Sequence, residues 1–542
     1  MIIGAGPVGM SAALEAARHG VRSLVIEQRR RDDPAGAKCN TVAARTMEIF
    51  RTFGIADNVR AAGLPDDFPT DVIYCTSVAG IELARIPLPS RLERLNADHH
   101  YLDSHWATPE PVVRVSQMYL EPILRRKLES IELITFMDCT TFVEYQNVDD
   151  HVVVRYALPD GRQGTVTAQF VIAADGGRSA VRKQMGVKLV GDVELGRTRS
   201  TLIRSAAIKS LFGDRRPAWM SWVVNHKVKG NLVAIDGRDT WLIHRALPIG
   251  EEDYDSVDLH QSIRDLLGVG RDFPYVVLSH EDWVGRRLVA SRLRDDRVFL
   301  AGDAAHLWVP FAGYGMNAGI ADGVAIAWKI SAVLSGWSST RMLDSYEDER
   351  LPITDQVSRY AMANLLENIE AVGKRRIPRS LSSRFNPVGA VLRKLIGRRL
   401  VKLNVPQFTP AGLNFGYFYD RSPVISYDGE PHPSYDMGSA PSSTVPGCRY
   451  PHHWLEDGAS IYDRLGRAFT LLRFDASLDV GSLTAVARQL GLPIEVVDVP
   501  ANTPMDHQQS TLILVRADQH IVWRGSSLPA NVSTLLQHVA GR

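Results

Sequence analysis

Three short segments hold the residues whose types and spacing can do chemistry. Gly4-Ala5-Gly6-Pro7-Val8-Gly9 comes first, Ala174-Asp175-Gly176-Gly177-Arg178-Ser179 lies mid-chain, and Gly302-Asp303-Ala304-Ala305-His306 follows. In the first, Gly4 permits a tight turn, Gly6 lets backbone approach a pyrophosphate, and Gly9 lets a helix pack closely on a strand. A helix starting there turns free N–H groups and its positive dipole end toward phosphates. Glu27 stands about 20 residues beyond the glycines, where such units bind a ribose 2′-hydroxyl. This is a dinucleotide-binding fingerprint. The other two segments each place a carboxylate, Asp175 or Asp303, at the end of an apolar run. A carboxylate there can accept hydrogen bonds from a polyol chain. It can also cap a helix, and the two uses are compatible.

Those residues need elements to hold them. Ile2 and Ile3 end a first strand, Val8 to Arg18 reads as a helix with small residues on one face, and Gly20 to Glu27 as a second strand. Only Met1 to Ile3 precede Gly4, so the first strand is short or the chain begins inside it. Phe170 to Ala174 and Arg297 to Ala301 are the apolar strands that feed Asp175 and Asp303, and Gly164 to Ala174 reads as one strand. Pyrophosphate and polyol sites on one chain point to FAD gripped along its length. After Asp303, the glycines of Pro310-Phe311-Ala312-Gly313-Tyr314-Gly315-Met316-Asn317 let backbone amides approach a ring edge.

Composition narrows the class. A chain of 542 residues has material for two or three domains. The net charge of +1 gives no global reason to expect nucleic acid or an anionic membrane as partner. Basic residues from Lys374 to Lys402 interleave with Leu and Ile at helical spacing and read as a solvated helix face. Cys39, Cys75, Cys139 and Cys448 form no CxxC pair and no metal spacing, which suits free thiols in a cytoplasmic protein without a metal. No stretch reads as a signal peptide or as an apolar run long enough to cross a membrane.

With these motifs in this order, the chain resembles the single-component flavoprotein aromatic hydroxylases, the group of para-hydroxybenzoate hydroxylase and phenol hydroxylase. The resemblance implies an α/β fold. A Rossmann-like FAD-binding domain spans 1–185, with an excursion at 65–110 toward an inserted mixed β-sheet substrate domain at 186–290. Residues 291–403 complete the FAD domain, 404–440 form a proline-rich linker, and 441–542 form a thioredoxin-like domain without a CxxC. By resemblance, Gly4, Gly6, Gly9 and Glu27 hold the ADP half of FAD, and Arg45 and Gln117 lie near the pyrophosphate and ribityl chain. Asp303 is the ribityl ligand, Gly315, Met316 and Asn317 line the flavin ring, and Asp175 belongs to a turn serving FAD and NADPH.

The implied reaction is hydroxylation of a phenolic substrate by NAD(P)H and O₂ through a hydroperoxide at flavin C4a, in a homodimer. No second dinucleotide fingerprint appears, since Gly268-Val269-Gly270 lacks the third glycine, which fits a transiently bound NADPH or NADH. Asn40, Trp222, His244 and Pro310 are the candidate substrate contacts, with ordinary sheet packing the alternative for Trp222 and His244. No residue singles itself out as a general base, and His306 reads as support for the flavin loop. Two other readings remain open. One is a different flavoenzyme on this scaffold: a Baeyer–Villiger-type polyketide oxygenase, a dehydrogenase, or a halogenase, whose Trp-x-Trp-x-Ile-Pro pattern Trp219-Met220-Ser221-Trp222 does not match. The other is a flavin-binding interaction protein without turnover.

Overall fold

A computed structural model describes residues 1–37, 39–96, 100–225, 227–248, 250–308, 313–373, 387–436, 438–500 and 510–542, with backbone alone at 192–195, 364–373, 387 and 388. Its first sheet has six strands in the order Arg294–Asp295, Val298–Leu300, Val171–Ala173, Ile2–Ile3, Ser23–Ile26 and Ile134–Met137. Every pairing but the first is parallel. The strands ending at Leu300, Ala173 and Ile3 are adjacent, so their three signatures emerge along one carboxyl edge of the sheet. Ligands of open α/β sheets bind at such an edge.

The apolar strands Val171–Ala173 and Val298–Leu300 are fully buried, as expected for a parallel sheet covered on both faces. The helix Pro7–Arg18 starts directly on the first turn, with proline near its N-terminus. It packs against the helix Tyr314–Leu334. Gly4 has φ +98°, and a Cβ on Gly9 would stand 1.9 Å from the Gly4 carbonyl oxygen, so a side chain at Gly9 would push the helix off the turn.

The second sheet has eight strands in the order His306–Leu307, Val276–Ala290, Leu189–Arg204, Thr240–Ala246, Lys229–Ala234, Met220–Val224, Val72–Cys75 and Glu82–Ile86. Its last two strands come from the 65–110 excursion, which therefore completes this sheet. Leu202, Ile203, Val233, Leu242 and Ile243 anchor its own buried core, shared with the helix Leu259–Leu267.

Two sequence expectations need correction. The run 164–174 is not one strand: Gln163–Ala168 closes a three-stranded antiparallel sheet, and Val171–Ala173 enters the first sheet. The break falls at Gln169-Phe170, where Phe170 is buried against Phe299. The expected linker starts later than residue 404, because the helix Pro387–Phe408 and a helical turn at Gly412–Gly416 carry the chain further.

The C-terminal region builds a four-stranded sheet in the order Ile494–Asp498, Phe469–Arg473, Leu512–Arg516, Ile521–Gly525. The first pair is parallel and bridged by the helix Gly481–Leu490; the other pairs are antiparallel, and the helix Val532–Val539 follows. This is the thioredoxin-like arrangement that the resemblance implies. All four cysteines are free. No helix among the described residues is long and apolar enough to cross a membrane.

Candidate active site

A cavity of about 2370 Å³ runs from the carboxyl edge of the first sheet to the face of the second. Gly4, Gly6, Glu27, Gln117, Asp175, Asp303, Gly315, Met316, Asn40, Trp222 and His244 all line it, the last two from the second sheet. A Cβ on Gly6 would meet nothing within 4 Å, so this glycine faces open space where a pyrophosphate fits. Glu27 Oε2 accepts a hydrogen bond from Ala5 N at 2.7 Å, which ties the carboxylate to the glycine turn. Asp175 does the capping expected of it and keeps one carboxylate oxygen open. Its Oδ2 accepts from Ala180 N (2.8 Å) and Val181 N (3.2 Å) at the start of the helix Ala180–Gln184, while Oδ1 is buried without a partner. Asn40 Oδ1 is likewise buried and unpartnered. Orphaned acceptors lining an elongated cavity suit a hydroxyl-rich ligand, because a buried polar atom without a partner costs stability until something fills it.

The Asp303 turn is held from behind. His306 Nε2 lies 2.7 Å from Asp322 Oδ2, the same oxygen accepts from Gly302 N at 3.3 Å, and Arg350 Nε donates to Asp322 Oδ1 at 2.8 Å. All three side chains are buried, and the arginine and histidine hold the Asp322 carboxyl below its usual range despite burial. His306 thus supports the turn and does not face the cavity lining.

Three expectations are not matched by the geometry. Arg45 does not line the cavity: its guanidinium donates to Glu48 Oε2 (3.0 Å), to the Asp518 carbonyl (2.7 Å) and to Gln519. It lies on the side of the helix Ala44–Thr52 that packs on the C-terminal domain. Asn317 is buried and fully engaged elsewhere. Its Oδ1 accepts from Ala43 N (2.8 Å), and its Nδ2 donates to the carbonyls of Thr41 (3.0 Å) and Gly313 (2.6 Å). It therefore positions the Thr41–Ala43 strand segment beside Gly315 and Met316. Gly9 also stays off the cavity lining, where the resemblance put it on the ADP half, but the close helix packing read from the fingerprint is borne out. Pro310 lies outside the described residues.

Other cavity residues escaped the sequence reading. Arg114 places its guanidinium 3.9 Å from the Trp219 ring centre and donates to Thr41 Oγ1 at 2.9 Å; burial lowers its pKa to about 10. Its position three residues before Gln117 was the only signal. Asn231, buried where the strand Lys229–Ala234 turns apolar, follows Lys229 and Gly230, so nothing in the local sequence marks it. Cys39 also lines the cavity, and burial pushes its thiol up to about 11, so it stays a neutral thiol.

Comparison with known proteins agrees with this geometry. A family of FAD-binding domains matches residues 1–361, and the aromatic-ring hydroxylase C-terminal family matches residues 443–542. The chain belongs to the FAD-dependent aromatic-ring hydroxylases. It is 31% identical to the FAD-dependent monooxygenase apdD of Emericella nidulans, over 97% of this chain and 87% of that protein. The solved structure of RebC with bound 7-carboxy-K252c superposes with a TM-score of 0.88 at 31% identity, covering 100% of this chain and 98% of that one. Aklavinone-11 hydroxylase, solved with FAD and aklavinone, gives a TM-score of 0.81 at 27% identity, covering 100% and 98%. This hydroxylase uses FAD as its cofactor and NAD(P)H as its electron donor.

Proposed function

We propose that this hydroxylase acts on a phenolic ring within a fused polycyclic aromatic compound, with O₂ as co-substrate. The observation that carries the reading is the cavity. Pockets for one small ligand run to about 300–1,000 Å³, whereas this one reaches about 2370 Å³ and stretches from the glycine turn to the eight-stranded sheet. A dinucleotide and a large planar substrate would share it. Two of the solved relatives carry 7-carboxy-K252c and aklavinone, which supports the same choice.

FAD, when bound and reduced by NAD(P)H, supplies the activation of O₂ and the transfer of one oxygen atom to the ring. The protein's share is to bind, orient and dry the site. Gly4, Gly6 and Glu27 would hold the ADP half, and Asp175, Gln117 and Asp303 the pyrophosphate and ribityl region. Gly315 and Met316 would lie at the ring, with Asn40 facing it from the Cys39–Ala43 segment that Asn317 fixes. Trp219 and Trp222 flank the far end with flat apolar surface that suits an aromatic ligand and excludes water. Four free cysteines support a cytoplasmic protein. The homodimer implied by resemblance stands as a proposal beside these, read by light-scattering mass.

The test is NADPH and NADH oxidation by the FAD-loaded enzyme with a panel of monocyclic, bicyclic and tricyclic phenols, with product masses. Tricyclic phenols should stimulate oxidation most and gain one oxygen. Stimulation by monocyclic phenols alone would contradict the proposed substrate class.

A further inference from the structure

The cavity face of the eight-stranded sheet carries one register row. Across neighbouring strands, Glu281 stands opposite Ser200, Ser200 opposite His244, His244 opposite Asn231, Asn231 opposite Trp222 and Trp222 opposite Tyr74. Residues opposite one another in a sheet share a face, and Trp222, Asn231, His244 and Trp283 all line the cavity. The row is therefore a strip of side chains turned toward the far end of the active site.

Within it, hydrogen bonding fixes a direction. Trp283 Nε1 lies 2.8 Å from Ser200 Oγ, and Ser200 Oγ lies 2.7 Å from His244 Nδ1. An indole N–H only donates, so Ser200 accepts from Trp283, and among the described residues His244 Nδ1 is the one partner that can accept the serine's own proton. An imidazole that accepts at Nδ1 carries its proton on Nε2. Nε2 has no hydrogen-bond partner among the described residues, and burial lowers the ring's pKa to about 4, which keeps it neutral. Beside it, Asn231 Oδ1 and Trp222 Nε1 are buried without partners. Three adjacent strands thus present unpaired polar groups over about 10 Å, two interstrand spacings. A single ring spans about half of that, and three fused rings span it all.

We propose that His244 is a substrate-orienting donor. The Trp283–Ser200 chain fixes it as the Nε2–H imidazole, and with the Trp222 Nε1–H it selects fused-ring aromatics whose ring carbonyls accept hydrogen bonds, while Asn231 Oδ1 accepts from a ring hydroxyl. The proposal rests on the polycyclic reading above and adds the group recognised: a ketone or quinone oxygen. Serine and tryptophan act behind His244 as positioning residues. Without Ser200 the ring is free to carry its proton on either nitrogen.

The experiment is isothermal titration of FAD-loaded enzyme with two probes. Quinizarin is a dihydroxyanthraquinone; an anthrol has the same three rings and a hydroxyl but no ring carbonyl. His244→Phe should weaken quinizarin by about five- to tenfold, the worth of one lost neutral hydrogen bond, and leave the anthrol unchanged. His244→Gln, which returns an amide N–H near the position of Nε2, should recover most of the quinizarin affinity. Ser200→Ala should lose part of it. FAD content and melting temperature report whether each variant is intact. Equal weakening of both probes by His244→Phe, or none, overturns the donor role and leaves the hydroxylase and its polycyclic substrate standing. Wild-type enzyme that binds a monocyclic phenol but neither tricyclic probe overturns the polycyclic reading and this inference with it.

Discussion

The cavity and the contact between the catalytic body and the C-terminal domain treat polar atoms in opposite ways. Along the cavity, Asp175 Oδ1, Asn40 Oδ1, Asn231 Oδ1 and Trp222 Nε1 are buried and unpaired. At the domain contact, charges are just as deeply buried but saturated. Arg516 donates to Glu349 at 2.7 and 3.1 Å and to Asp518 at 2.6 Å, Lys329 donates to Glu349 at 2.8 Å, and Arg449 bridges to Glu48 at 2.6 and 2.7 Å. The unpaired atoms of the cavity are open to a ligand; the paired charges of the contact hold two domains in one register. A buried polar residue is thus functional or structural according to what is left for it to bind.

Changes on the two sides should separate binding from stability. The largest effect is expected at Gly6, whose backbone is extended and whose Cβ position is empty. Gly6→Val should therefore fold normally and lose FAD altogether, because the new methyls occupy the pyrophosphate's place. Flavin absorbance after purification, beside circular dichroism, checks both halves. Next comes Arg516→Leu, which leaves Glu349 and Asp518 short of a buried cation. Breaking such a pair costs about 3–5 kcal/mol, read as a lower denaturant midpoint, while the folded fraction should keep its FAD affinity.

Asp303→Ala removes a charged acceptor at the cavity and should weaken FAD by at least about tenfold, from bonds worth roughly 1.5–3 kcal/mol each, with stability little changed. Fluorescence recovery on flavin release gives the constant. The smallest effect is a pH dependence. Burial alone would raise Glu349, but Arg516 and Lys329 outweigh it and hold the carboxyl at about 2, below its ordinary 4.5. A depressed carboxyl contributes stability that is full above the unfolded value, so it should fade as pH falls from about 4.5 toward 2. Arg516→Leu should flatten that part of the stability curve.

What the sequence made legible follows the same division. The three signatures could be read because each is local: an apolar strand runs straight into a turn, with Gly and Asp where the turn chemistry requires them. That their strands lie side by side is seen only in the parallel order of the first sheet. Arg45 and Asn317 could not be placed, because the partners that turn them away lie hundreds of residues distant, at Asp518 and Gln519 for one and at Ala43 for the other. His244 was legible as a candidate, but its tautomer was not. That depends on strand register, which sets Ser200 beside it and brings Trp283 within reach.

The central claim is that one FAD lies along this cavity and delivers oxygen to an aromatic ring at its far end. Turnover with NAD(P)H and a tricyclic phenol under ¹⁸O₂, read by product mass, tests it most directly. The account predicts one ¹⁸O atom per product molecule, with NAD(P)H consumed in step and no incorporation by Gly6→Val. Product that forms without the label, or NAD(P)H oxidation that never yields an oxygenated ring, would contradict it.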